Sequence, residues 1–252
     1  MSQFIVSVAD LDTHNRKAVL RGAEAKHCAA VARFSPGDPI IITDAKGRRW
    51  HGACGAGAPG TVCIHDLQPL ADNEPELAVE LFQGLPKGDR WDGILEKGTE
   101  LGVRTFRPLY TARSVPHLSS GRLDKRMDRW REKTRAALKQ CDRSRLPGIT
   151  TPEPLGRCLE QLGPVEKGEL RLYLAERVSP GTWPNATEVR TTRLAVGPEG
   201  GWTIDEQRSL SEAGFCPVSV GPRILRTDTA AVVGIALVMQ RWGDLVFPRT
   251  EW

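Results

Sequence analysis

Two stretches of this 252-residue chain carry residue types and spacings suited to holding a ligand. In the first, Ala195-Val196 runs into Gly197-Pro198-Glu199-Gly200-Gly201-Trp202-Thr203. Consecutive glycines remove side chains and permit positive φ, so backbone N–H and C=O groups can approach a bound molecule closely. A plain turn needs one glycine; three with a carboxylate among them point to a ligand loop. The second runs Val220-Gly221-Pro222-Arg223-Ile224-Leu225-Arg226-Thr227-Asp228-Thr229-Ala230. Arg223 and Arg226 beside hydroxyls suit a phosphate or a polarised carbonyl, the alternative being a basic loop in solvent. Thr227 or Asp228 is placed to cap the apolar helix that follows. A third and weaker candidate is Leu174-Ala175-Glu176-Arg177.

Each stretch follows a β-rich run, and in an open α/β sheet ligands bind outside the carboxyl ends of the strands. The runs VELFQGL, VRTFRPLY, ELRLYLA, RLAVG and PVSVG alternate with helical patterns at Arg90–Leu101, Ile204–Ala213 and Thr229–Arg241. Gly102 closes the first helix, and Thr203 with Glu206 forms a capping box for the second. Alternation of this kind predicts a parallel sheet covered by helices. The first seventy residues differ: FIVSV, AVLRG, PIIITD, RRWHGA and TVCIHDL are short β-rich runs divided by Gly and Pro, with one helical stretch near Ala23–Phe34. The predicted organisation is a β-rich module over 1–70, a proline-punctuated boundary at PLADNEP, and an α/β domain over 76–252.

Charge is distributed unevenly. The net charge is +4, but Arg113 to Arg145 holds eleven basic residues against four acidic ones, so the remainder of the chain is net −3. Within that segment Leu123, Met127, Trp130, Thr134 and Ala137 recur at helical spacing, which leaves the cations on the other faces. Such a stripe points to an anionic partner, most commonly nucleic acid. No apolar run approaches the ~18 residues a membrane span needs, and the start of the chain lacks the pattern of a secretory signal, so a cytoplasmic location is expected. The six cysteines read as free thiols. His51, Cys54, Cys63 and His65 offer a zinc-type ligand set, but His51 and Cys54 are an odd number apart on a strand and would point oppositely, so no metal is expected. There is no P-loop, no dinucleotide fingerprint, no nucleophile elbow and no H-E-x-x-H.

At these residues the sequence resembles a known family. GPEGGWTIDE (Gly197–Glu206) and VGPRILRTDTA (Val220–Ala230) resemble the two C-terminal motifs of the RsmE family, ribosomal small-subunit RNA uridine N3-methyltransferases of the SPOUT class. EKGTELGV (Glu96–Val103), RWREKTRAALKQCDRSRLP (Arg129–Pro147) and KHCAAVARFSPGD (Lys26–Asp38) are similar to further segments of that family, in the same order. Lys26 and Ala30 depart from its usual His and Arg, and Asp228 from its usual Glu.

The resemblance implies an α/β domain with a C-terminal trefoil knot, preceded by a PUA-like β-barrel, in a homodimer acting on 16S ribosomal RNA. It implies S-adenosylmethionine as cofactor, held by Leu174, Ala175, Glu176, Gly197, Pro198, Glu199, Gly200, Gly201, Val220, Gly221, Ile224, Leu225 and Thr229. It implies RNA contacts from His27, Arg33, Arg113, Arg129, Lys133, Gln140 and Arg143. Removal of the weakly acidic N3 proton of uracil would be helped by a cation near O2 or O4, for which Arg226 and Arg223 are the candidates. Glu199 reads equally as a base or as a carboxylate that holds its loop. A ribose 2′-O-methyltransferase of the same class is disfavoured because GPRILRTDTA has neither Ser nor Asn, and a non-catalytic ribosome-assembly factor remains the alternative from another class.

Overall fold

The computed structural model describes residues 3–31, 34–114, 120–176 and 183–245. By its contacts the chain divides into two units, Met1–Glu74 with Arg135–Leu146, and Pro75–Thr134 with Pro147–Trp252.

The first unit contains β1 (Gln3–Ile5), β2 (Leu11–Asp12), β3 (Lys17–Leu20), α1 (Gly22–Lys26), β4 (Pro39–Thr43), β5 (Arg49–Ala56) and β6 (Val62–Leu70). The strands form one six-stranded sheet in the order β1-β4-β5-β6-β3-β2, with β1 parallel to β4 and the other pairs antiparallel. Period-two alternation sends Ile40, Ile42, Trp50, Cys54 and Ile64 inward onto Phe4 and Leu20. His51 is exposed while Cys54 is buried, so these two face opposite sides of the sheet. The helix expected to reach Phe34 is α-helical only to Lys26 and continues as a π-helical turn over His27–Val31.

Arg135–Leu146 differs from a simple break near 70–76, because its contacts belong to the first unit. The physical reason is a buried ion pair. Glu74 receives Arg143 Nη2 at 2.6 Å and the Ser144 and Arg145 amides at 2.9 Å each. Gln3 Nε2 donates to the Arg143 carbonyl at 2.7 Å, and Thr43 Oγ1 to that of Ser144 at 2.9 Å.

The second unit contains β7 (Ala78–Gly84), α2 (Arg90–Glu100), β8 (Val103–Tyr110), most of α3 (Ser120–Gln140), β9 (Gly148–Ile149), β10 (Glu153–Pro154), α4 (Leu155–Glu160), β11 (Glu169–Leu174), β12 (Thr191–Val196), α5 (Ile204–Glu212), β13 (Cys216–Val218) and α6 (Thr227–Trp242). Its sheet is parallel throughout, in the order β10-β8-β7-β12-β11-β13, with β9 on β8. The additions β9, β10 and α4 are too short to show a period in sequence. Leu81, Phe106, Leu172 and Leu194 of the sheet bury against Ile94 and Leu95 of α2 and Ile235 and Val238 of α6. From the edge strand β13 the chain returns past the Gly197 loop to pack α6 on α2 and β12. The capping box at Thr203 and Glu206 is formed, and Gly102 adopts φ +89° just past α2. On α3 the predicted stripe is the buried one, with Trp130 edge-on to Trp91 at 5.7 Å. Among the described residues no helix is long and apolar enough to cross a membrane.

Candidate cofactor cavity and basic residues

The strand ends of β11 and β12, the loop after β13 and the start of α6 converge on one cavity of about 660 Å³. Leu174, Ala175, Glu176, Gly197, Pro198, Glu199, Gly200, Gly201, Val220, Gly221, Ile224 and Leu225 all line it, as do Arg223 and Arg226. Of the residues singled out for the cofactor, Thr229 does not. Helix α6 begins at Thr227, and at 3.6 residues per turn Thr227 and Ala230 share the face toward the cavity while Thr229 is turned into solvent. For the same reason Thr227 is the first helical residue rather than a cap: the N-cap position is Arg226, with no side-chain capping bond.

The loop geometry explains its composition. Gly201 sits at φ +66°, in the left-handed region, and a Cβ on Gly200 would stand 2.9 Å from Arg113 Cδ. Arg113 Nη1 donates to the Gly200 carbonyl at 2.6 Å, so this cation, assigned to RNA from sequence, lies on the glycine loop that lines the cavity. Glu199 accepts the Lys87 amide at 3.0 Å and pairs with Arg90. Burial raises its pKa, but backbone hydrogen bonds, including that from Lys87, and the Arg90 guanidinium outweigh burial and hold it below the ordinary range. Through these contacts the Glu199 carboxylate ties the glycine loop to the turn and helix start that follow β7. The guanidinium groups of Arg223 and Arg226 are exposed and pair with no described residue.

Two contributors escaped the sequence reading. Gln83, fully buried at the end of β7, donates through Nε2 to the Val196 and Gly197 carbonyls at 3.3 Å each and to Thr227 Oγ1 at 3.0 Å. Thr227 Oγ1 in turn donates to the Gly197 carbonyl at 2.6 Å, so one amide and one hydroxyl fix the loop base to α6. Arg90 lines the cavity from the turn after β7. The available signal was position: LPKGDR is itself a strand-to-helix turn at a carboxyl end.

The residues assigned to RNA separate into several environments. Arg129 is exposed but engaged by Asp89 at 3.0 Å and Asp92 at 2.5 Å. Lys133 is half-buried and Gln140 exposed on α3. His27 packs edge-on against Phe4 at 5.5 Å. Arg143 is 4% exposed within its ion pair, which removes it from any surface that could meet a phosphate. Arg33 lies outside the described residues. Three cations of α3, Arg122, Lys125 and Arg126, are exposed and uncommitted to any described residue. Among the described residues no group of three His, Cys, Asp or Glu converges as a metal site.

Comparison with known proteins agrees with this geometry. Residues 73–239 match the family model described as RNA methyltransferase domain. A Mycobacterium bovis protein named ribosomal RNA small subunit methyltransferase E is 33% identical over 233 residues, covering 89% of this chain and 88% of the relative. The Synechocystis protein of that name is 34% identical over 87% of this chain and 71% of the relative. Among solved structures, the Neisseria gonorrhoeae ribosomal RNA small subunit methyltransferase E bound to S-adenosyl methionine superimposes with a TM-score of 0.86 at 28% identity, covering 98% of this chain and 100% of the other. A Legionella pneumophila protein in complex with the same cofactor gives 0.85 at 25% identity, covering 97% and 99%. The fold is the SPOUT-type parallel α/β sheet preceded by a β-rich, PUA-like module. With its glycine-lined cavity at the carboxyl ends of a parallel sheet, the chain belongs to the RNA methyltransferase domain family and, within it, to the ribosomal RNA small subunit methyltransferase E family.

Proposed function

We propose that this protein transfers a methyl group from S-adenosylmethionine to N3 of one uridine of 16S ribosomal RNA, in the cytoplasm and as a homodimer. The observation that carries the reading is the cavity itself. Its 660 Å³ suits a ligand of that size, and its lining offers what a nucleoside-bearing sulfonium needs. The open backbone at Gly197–Gly201 and Val220–Leu225 supplies N–H and C=O groups for an adenine edge, and Leu174, Ile224 and Leu225 supply apolar surface. The Glu176 carboxylate, near Gly201, would accept from ribose hydroxyls or face the cation. When bound, the cofactor supplies an already activated methyl group.

The chain's own residues then position the acceptor and manage one proton. Arg226, with Arg223 beside it, offers a guanidinium at the cavity for the charge that gathers on the uracil oxygens as N3 loses its proton. The exposed cations of α3 meet the phosphate backbone, and the β-rich module contributes further RNA contacts. Dimerisation is supported by the outer face of α6, where the half-buried Val233 and the exposed Leu237 lie between the exposed polar side chains of Thr229 and Gln240. Mass spectrometry of 16S ribosomal RNA from a strain lacking this protein tests the function. One N3-methyluridine should be lost and then restored by the protein; an unchanged methylation pattern refutes it.

A further inference from the structure

Beside the cofactor cavity lies a second depression of about 550 Å³, lined by Lys87, Gly88, Asp89, Arg90, Gly93 and Asp228, with Arg90 common to both. Four of these residues are charged, and two are already committed: Asp89 to Arg129, and Arg90 to Glu199. Lys87 is exposed, and its ammonium meets no described residue. Asp228 is the anomaly. It sits in the first turn of α6, half-buried, and its Oδ1 is shielded from solvent without a hydrogen-bond partner among the described residues. An acceptor left unpaired in this way costs stability, roughly 1–3 kcal/mol, unless something else satisfies it. It does not cap its helix, and Thr227 immediately before it faces the cofactor cavity.

We infer that this depression receives the methyl-accepting base and that Asp228 accepts its ring proton, an assignment that rests on the function proposed above. The imide edge of uracil presents acceptor, donor, acceptor in O2, N3–H and O4. The uncommitted groups present the complement: a carboxylate at Asp228, with cationic donors in Lys87 of the same depression and Arg226 two residues earlier on the cavity. In the step, the N3–H bond breaks with its proton going to Asp228 and its electron pair staying on N3. That pair forms the new N–CH3 bond as the methyl–sulfur bond breaks and leaves its pair on sulfur; Asp228 afterwards loses the proton to solvent. Cytosine has no N3 proton and carries an amino group in place of O4, and a ribose hydroxyl has no flanking carbonyls, so the same three groups also select the acceptor.

The test uses Asp228→Asn and Asp228→Glu on small ribosomal subunits that lack the modification. Two substrates are compared, one with ordinary uracil and one with 5-fluorouracil in its RNA, whose N3–H is more acidic. Cofactor affinity is measured separately by calorimetry. A general base contributes roughly 10²–10⁴-fold. The expected result is that D228N slows single-turnover transfer to uracil about 100-fold or more and binds cofactor within about two-fold of wild type. It should recover about ten-fold or more on the fluorinated RNA, while D228E keeps most of the rate. Equal slowing on both substrates, or a matching loss of cofactor affinity, makes Asp228 merely structural and overturns the assignment. A wild-type product methylated elsewhere than N3 overturns the substrate reading and this assignment with it; an N3 product formed equally well by D228N overturns the assignment alone.

Discussion

Glu74→Gln separates what the basic segment does for the fold from what it does for RNA. The Glu74 and Arg143 side chains are 6% and 5% exposed, and the carboxylate also receives the Ser144 and Arg145 amides at 2.9 Å. Neutralising one partner of a buried pair leaves the other charge uncompensated, a loss of about 3–5 kcal/mol. With a urea m-value of about 1–3 kcal/mol/M, the first unit's unfolding midpoint should fall by roughly 1–5 M. Hydrogen exchange of the amides in β1 and β4 should accelerate with it, because both strands anchor the 143–144 backbone through Gln3 and Thr43. Urea titration with peptide-resolved exchange is the assay. Arg143→Met should show a comparable loss and leave the salt dependence of RNA binding unchanged. If E74Q cost less than about 1 kcal/mol, or if R143M lowered the salt slope by about 0.7–0.9 as a lost phosphate contact would, the reading of Arg143 as a buried structural ion would be wrong.

Three further outcomes are expected. Gly201→Val, which forces a β-branched residue to φ +66°, should abolish cofactor binding in calorimetry while leaving RNA affinity within about two-fold. Replacing Lys125 and Arg126 by Gln should lower the salt slope of RNA binding by about 1.4–1.8, whereas an unchanged slope makes that face merely solvated. Because the pKa of Glu199 is held down, its contribution is present at neutral pH and is lost as the pH falls through its lowered value, below the ordinary carboxylate range. Glu199→Gln should therefore destabilise at pH 7, with the gap to wild type closing on acidification; a gap that is constant with pH would show that the carboxylate is not the tether.

The second unit was the legible part because its signals are local. The apolar runs of β8 and β11, the Thr203–Glu206 capping box and Gly102 after α2 each depend on residues within one or two turns of one another, and so does the glycine loop at Gly197–Gly201. Sequence also fixed which face of α3 is buried, since helical period alone places Met127, Trp130 and Thr134 together. It could not assign the fate of individual cations. Arg113, Arg129 and Arg143 look alike in a basic stretch, yet one lies on Gly200, one is held by Asp89 and Asp92, and one is buried on Glu74. Their partners stand 37 to 87 residues away, and a charge takes its role from the groups that surround it in space. Local pattern was enough to read a β-rich first module, a parallel α/β sheet and the glycine-rich loops after its strands, but not that Arg135–Leu146 belongs with the first module. Packing rather than proximity in the chain brings Gln83 and Thr227 together to brace the Gly197 loop, leaves Asp228 Oδ1 without a partner among the described residues, and commits much of the apparent RNA-binding charge within the protein.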